Sequence, residues 1–184
     1  MPFELAVIIP TLNEAGNLKP LLERLEHALR GIDWEVIFVD DDSIDGTVEL
    51  LRQMAHDHVH VRCLRRIGRR GLSSACIEGM LATSAPYLAV MDADLQHDEH
   101  LLPRMLEAVK AHRLDILVAS RFMRGSSTDE FSAARERLSR LGIRMSRLIT
   151  KTPLTDPLSG FLCCVKRCWT KWHIHYRVKD SRFC

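Results

Sequence analysis

Short apolar runs alternate along the first two thirds of the chain with stretches in which leucines recur every three or four positions. Ala6-Val7-Ile8-Ile9, Val36-Ile37-Phe38-Val39, Tyr87-Leu88-Ala89-Val90-Met91 and Ile116-Leu117-Val118-Ala119 are continuous or nearly so, and Val59-His60-Val61-Arg62-Cys63-Leu64 alternates. Runs of this length, bounded by Pro, Asp and Gly, predict strands. Pro10 is expected to stop the first. Between them, Leu18, Leu21, Leu22, Leu25 and Leu29 fall on one helical stripe that runs to about Arg30. Further helices are expected over about 48–56, 72–81 and 101–111. Strands alternating with helices of ten or so residues predict an α/β fold: one domain, a mostly parallel sheet, helices on both faces.

Past Arg121 the rhythm breaks. Gly125 to Asp129 reads as a loop. A basic helix is expected from about Ala133 to Thr150, with Leu138, Leu141, Met145 and Leu148 as its apolar stripe, and Thr155 to Phe161 reads as a turn with a hinge at Gly160. After Phe161 no strand or helix period is visible, and Cys163, Cys164, Cys168 and Cys184 crowd into the end. We therefore expect residues 163–184 to be foreign to the domain, a truncated or out-of-frame tail.

Composition narrows the class. Of 184 residues 46% are hydrophobic, enough for a core, yet no stretch approaches the ~18–20 apolar residues of a membrane span. Met1-Pro2-Phe3-Glu4 has no basic lead-in or signal-peptide core, so export is not expected, and structural disulfides are not the default for the six cysteines. Cys63 and Cys76 sit in apolar patterns and read as small core residues. The net charge of +2 hides an asymmetry: residues 1–120 hold 12 basic and 19 acidic side chains, residues 121–184 hold 14 and 5. The second part is thus suited to an anionic partner, a nucleotide, lipid phosphate or membrane surface.

The chemistry centres on Asp92-Ala93-Asp94-Leu95-Gln96-His97. Its carboxylates follow the Tyr87–Met91 run, at the carboxyl end of a strand, where open α/β sheets place ligands. Hard oxygen donors suit Mg2+ or Mn2+, which in turn bind phosphate oxygens. Acids also favour the first turn of a helix, so the motif has a structural reading too. Asp40, Asp41 and Asp42 end a second strand and could meet a base, a ribose or a metal, while Ser43 or Asp45 could open the next helix. Pro10-Thr11-Leu12-Asn13-Glu14 is neither a dinucleotide fingerprint nor a P-loop. His97 is not expected to ligate. Arg65, Arg66, Arg69 and Arg70 have no interleaved aromatics, which argues against nucleic acid. Cys163, Cys164, Cys168, His173 and His175 match no standard zinc spacing.

Taken together, Val7 to Glu14, Val39 to Thr47 and Asp92 to His97 resemble family 2 glycosyltransferases of the GT-A, Rossmann-like fold. Arg69 to Ala75, Ala119 to Phe122 and Asp156 to Phe161 resemble its dolichol-phosphate (polyprenyl-phosphate) mannosyltransferase branch. The resemblance covers residues 5 to about 162. It implies a GT-A domain over 1–162, with a nucleotide-sugar-binding part at 1–122 and a basic acceptor-side segment at 123–162. It implies a nucleoside pocket from Pro10, Leu12, Glu14, Val39 and Asp41, with Gly71 approaching the nucleotide by its backbone. Asp92, Asp94 and Gln96 would hold Mg2+ or Mn2+, Ala93 would present backbone to the sugar nucleotide, and Arg121 and Arg135 would contact donor diphosphate or acceptor phosphate. Asp94, Arg121 and Arg135 would be the catalytic set. Leu12 stands where members often have Tyr, and Asp42 where they usually have Gly or Asn. The implied activity is a metal-dependent, inverting transfer of mannose from GDP-mannose to a polyprenyl phosphate by an enzyme peripheral to the cytoplasmic face of a membrane. Transfer of another sugar, such as glucose from a UDP donor, and a truncated, non-catalytic nucleotide-sugar-binding relative are the alternatives. A phosphate monoester, with a second pKa of ~6, is anionic at neutral pH, so such an acceptor needs no general base.

Overall fold

The computed structural model describes residues 3–119, 159–167 and 178–180, the last by backbone only. In chain order the elements are β1 (Leu5–Thr11), α1 (Leu18–Ala28), β2 (Trp34–Asp40), α2 (Thr47–Asp57), β3 (Val61–Arg65), α3 (Leu72–Leu81), β4 (Tyr87–Val90), α4 (Leu101–Ala111), β5 (Ile116–Val118), β6 (Leu162–Val165) and β7 (Val178–Asp180). They form one seven-stranded sheet in the order β3-β2-β1-β4-β6-β5-β7. The β1, β2, β3 and β4 pairings are parallel, and β6 runs antiparallel to both β4 and β5.

Strand alternation sorts the core into two layers. Leu5, Val7 and Ile9 with Val36 and Phe38 face α1, α2 and α4, through Leu21, Leu25, Leu51, Met54, Leu102 and Leu106. Ala6, Ile8, Ile37, Val39 and Leu88 face α3 through Ala75 and Met80. The helix leucines that were spaced for one stripe, Leu18, Leu21, Leu22 and Leu25, are all buried. On α3 the contact is so close that a Cβ on Gly79 would run into Ile8 and lie 2.9 Å from Val39 Cγ2.

Two expectations are corrected. Pro10 does not stop β1: the strand continues to Thr11, with Pro10 opposite Val39. The ladder to β4 ends with the Met91 N–H on the Ile8 carbonyl, so a residue without an N–H removes no ladder bond beyond it. The domain also does not end at residue 162. Leu162–Val165 is an interior strand, with Cys163 opposite Ala89 and Leu117. Cys163 is buried in one layer and Cys164 in the other. The cysteines serve as small apolar residues, and their opposed directions keep the two thiols from sharing one zinc. Cys168, His173, His175 and the expected helix at 133–150 lie outside the described residues.

Candidate functional site

The carboxyl ends of β1, β2 and β4 lie side by side, and the acids there have three different settings. Asp40 is wholly buried and accepts from the Ser43 N–H (2.9 Å), the Ser43 hydroxyl (2.5 Å) and the Thr11 hydroxyl (3.3 Å). It closes the turn. Asp41 is 7% exposed, and both oxygens are engaged: Oδ1 by Arg66 Nη1 at 2.6 Å, Oδ2 by the Gly71 N–H at 2.7 Å. Asp42 points outward to Arg65 at 2.6 Å, whose guanidinium holds its carboxyl below the usual range.

Arg66 is the piece that sequence reasoning missed. It is buried, and besides Asp41 it donates to the Gly71 carbonyl (3.1 Å) and Ser74 Oγ (2.5 Å). Its Nε lies 3.3 Å from Glu78 Oε1, close enough for charge attraction but misdirected for a hydrogen bond. Arg66 thus ties the end of β3 to the loop that starts α3. Its position just past a strand end was the available signal, hidden within a run of four arginines.

The loop after β1 is clasped to the loop after β2. The N–H groups of Asn13, Glu14 and Ala15 donate to Ser43 Oγ, Thr47 Oγ1 and Asp45 Oδ2, and Ile44 N–H returns to Asn13 Oδ1. Asp45 also takes the Thr47 N–H and hydroxyl at the start of α2, where the hydroxyl bond holds its carboxyl below the usual range. Asn13, Asp42 and Leu95, one in each loop beyond β1, β2 and β4, have left-handed backbones with φ of 59°, 62° and 61°. Left-handed non-glycine residues are sterically costly, and they gather where function over-determines the backbone.

Beyond β4, Asp94 is exposed and its Oδ1 takes the Gln96 N–H at 3.1 Å, a tight turn whose middle residue is Leu95. Asp92 is half-buried. Its Oδ2 lies 3.4 Å from His97 Nε2, and the His97 ring rests on Phe161, centroids 5.1 Å apart. His97 therefore leans on Asp92. Gly160 lies hard against the Asp92 carboxylate: an added Cβ would overlap Oδ2, 2.8 Å from Cγ and 3.0 Å from Oδ1. The Cys76 thiol on α3 is pushed up to about 11, by burial first and then by the charge of Asp92, with Asp41 acting the same way and Arg66 opposing. One thiol senses the charge of both acids.

The expected site residues fall as follows. Pro10, Leu12 and Glu14 stand on the β1 end and loop, with Leu12 40% exposed and Glu14 Oε2 accepting from Asn17 at 2.6 Å. The Val39 side chain is wholly buried under α3, so only its backbone can face a ligand. Ala93 is buried too, so only its backbone can face a ligand. Gly71, with φ of 139°, takes a conformation open to glycine. Arg121 and Arg135 lie outside the described residues. Asp92, Asp94 and the Gln96 amide make an oxygen-rich set on a turn, the donors that Mg2+ and Mn2+ prefer. Two surface grooves, of about 490 and 730 Å³, are lined by Lys110 near Pro103 and near Tyr87, and neither reaches these acids.

A parallel sheet with acids at adjoining strand ends is the architecture of GT-A glycosyltransferases, and solved structures agree on the fold. A mannosyltransferase of Pyrobaculum calidifontis, in complex with GDP-Man and Mn2+, superposes with a TM-score of 0.61 at 21% identity, covering 91% of this chain and 45% of that one. Glucosyl-3-phosphoglycerate synthase of Mycobacterium tuberculosis, with Mn2+, UDP-glucose and phosphoglyceric acid, gives 0.65 at 19% identity, covering 90% and 57%. The model for glycosyl transferase family 2 matches residues 6–169, and the chain belongs to that family. It is 38% identical over 160 residues to a dolichol-phosphate mannosyltransferase of Pyrococcus furiosus, covering 86% of this chain and 45% of the relative. It is 36% identical over 165 residues to the dolichol-phosphate mannosyltransferase of Saccharomyces cerevisiae, covering 88% and 60%. An undecaprenyl-phosphate mannosyltransferase of Micrococcus luteus is 35% identical over 157 residues, covering 84% and 63%. The chain thus spans between 45% and 63% of the length of these relatives.

Proposed function

We propose that the chain is the donor-binding part of a metal-dependent, inverting transferase that moves mannose from GDP-mannose to a polyprenyl phosphate. The observation that carries this reading is the setting of Asp92. Its carboxylate fills the space that a side chain at Gly160 would need, lies 3.4 Å from His97 Nε2, and acts by its charge on the same α3 thiol as Asp41. The names of the relatives supply the sugar and the lipid class.

Asp92, Asp94 and Gln96 would hold Mg2+ or Mn2+. When bound, the ion supplies positive charge to a diphosphate leaving group. Pro10, Leu12 and Glu14 would line the nucleoside. Asp41 acts through Arg66 and Gly71, fixing the loop whose backbone faces the nucleotide, and Val39 contributes backbone alone. Arg121 and Arg135 would meet the phosphates and stabilise the charge that develops as the sugar leaves. The acceptor phosphate attacks the anomeric carbon directly, with no base to deprotonate it. A single displacement inverts that carbon. The balance of 14 basic to 5 acidic residues after position 120 supports an anionic lipid head at a membrane surface. No helix among the described residues is long and apolar enough to cross a membrane. We place the chain at the cytoplasmic face, peripheral to the bilayer.

The test is a transfer assay with the protein, Mg2+ or Mn2+, a short polyprenyl phosphate and labelled nucleotide sugars. Label from GDP-mannose in the organic phase is the expected result. Label from UDP-glucose alone changes the sugar and keeps the enzyme. Binding of GDP-mannose without transfer leaves a donor-binding relative. No binding of any nucleotide sugar with either ion overturns the reading.

A further inference from the structure

A second cluster of ligating side chains lies at the opposite end of the sheet, about 20 Å from Arg66 by the rise of β3. Glu26 comes from the last turn of α1, His58 follows α2, and His60 precedes β3. Among the described residues these three are the one group of His, Cys, Asp or Glu whose ligand atoms all lie within 4.8 Å of one another. Glu26 Oε1 is 3.2 Å from His58 Nδ1 and 3.4 Å from His60 Nε2.

We propose that Glu26, His58 and His60 form a zinc site with a fourth position open to solvent. Zinc bonds to nitrogen and oxygen of about 2.0–2.1 Å set the edges of a tetrahedron at about 3.3–3.4 Å, and the two distances above match such edges. Two imidazoles and one carboxylate are a donor set that zinc uses when it keeps one open position. The second observation is independent of these distances. His60 Nε2 is buried and has no hydrogen-bond partner: Glu26 is near it but badly aligned. A cation at the centre of the triangle would satisfy that nitrogen where a hydrogen bond does not.

The ligands are also held in advance. The Val61 N–H bonds the His58 carbonyl at 3.0 Å, closing the turn that carries both histidines, and the Val36 N–H bonds the His60 carbonyl at 2.8 Å. The His60 ring packs on Trp34, centroids 4.6 Å apart. The metal would staple α1, α2 and β3 together, far from the transfer chemistry, and the inference does not rest on the donor-site reading.

The experiment uses the full chain, stripped with chelator and reloaded at micromolar Zn2+. Native mass spectrometry gives stoichiometry, and visible spectra of the Co2+ form give geometry. One zinc is expected to be lost in Glu26→Gln and in His58→Ala and retained in Asp94→Ala and Cys168→Ser. The Co2+ form should show intense tetrahedral bands without thiolate charge transfer. Glu26→Gln is nearly isosteric and His58 is exposed enough to truncate, so circular dichroism should be unchanged in at least one. A chain that takes up no zinc, or the same amount in both variants, overturns the proposal. So does a Co2+ spectrum with thiolate bands.

Discussion

Gly160→Ala is the sharpest probe of the candidate donor site. The new Cβ would be 2.8 Å from Asp92 Cγ and closer still to Oδ2. Restoring ordinary contact at about 3.5 Å requires the carboxyl carbon to retreat by roughly 0.7 Å, and the oxygen by more. Asp92 can do this cheaply, since its side chain is 39% exposed and needs only to turn about its own bonds. Gly160 is not among the positive-φ residues, so alanine suits the backbone and gains about 0.4–1 kcal/mol by restricting the unfolded chain. Stability should therefore stay within about 1 kcal/mol of the parent. Aim is another matter. A displacement near 1 Å in a positioned group costs about a hundredfold, or about 3 kcal/mol. Calorimetric titration of GDP in the presence of Mn2+ should show that loss, alongside a nearly unchanged Tm. Equal affinity in the variant would refute the idea that Gly160 sets the direction of Asp92. A Tm that drops in proportion to affinity would make the effect one of packing.

Other expectations are simpler to state. Arg66→Ala strips a buried carboxylate of its cation, so urea unfolding should show a loss of about 3–5 kcal/mol; a change below 1 kcal/mol would mean that water reaches Asp41. Asp94→Ala should abolish Mn2+-dependent nucleotide binding with Tm unchanged, because Asp94 is exposed and bonds only within its own turn among the described residues. Burial pushes the Cys63 and Cys76 thiols up to about 11 from an ordinary 9.0. Between those values the unfolded chain gives up the protons first, so the thiol contribution to stability is whole below pH 9 and fades as pH rises toward 11. The parent should thus lose more stability over that window than the Cys63→Ala, Cys76→Ala double variant; parallel pH curves would dispose of this.

Most of the fold could be read from period alone. The four helices and the first five strands arise where leucine stripes and apolar runs placed them, because burial on a sheet face demands those spacings. β6 escaped for a chemical reason. Leu162-Cys163-Cys164-Val165 is as apolar as any strand here, yet cysteines invite a reading as ligands, and Lys166 and Arg167 closed the run early. Within the site, the carboxylates were visible, but their division of labour was not. Asp40, Asp41 and Asp42 are identical letters whose settings depend on what stands opposite: a serine turn, a buried guanidinium, a surface arginine. Arg65 ends β3 with an exposed guanidinium and Arg66, just past it, is buried, a difference the letters do not show. Pairwise partners across 25 or more residues, such as Asp41 with Arg66, leave no local trace.

The place of β6 bears on how such a chain is made. The residues that carry Asp41, Asp92 and Asp94 are synthesised early, yet β4 and β5 do not pair with one another; each waits for Leu162–Val165 to arrive between them. Until that happens a nascent polypeptide presents two raw borders, open to pairing with strangers. A ribosome-bound intermediate ending before residue 160 would hold Asp92 without the glycine packed against its carboxylate. Folding and competence for metal would then be completed in the same late event.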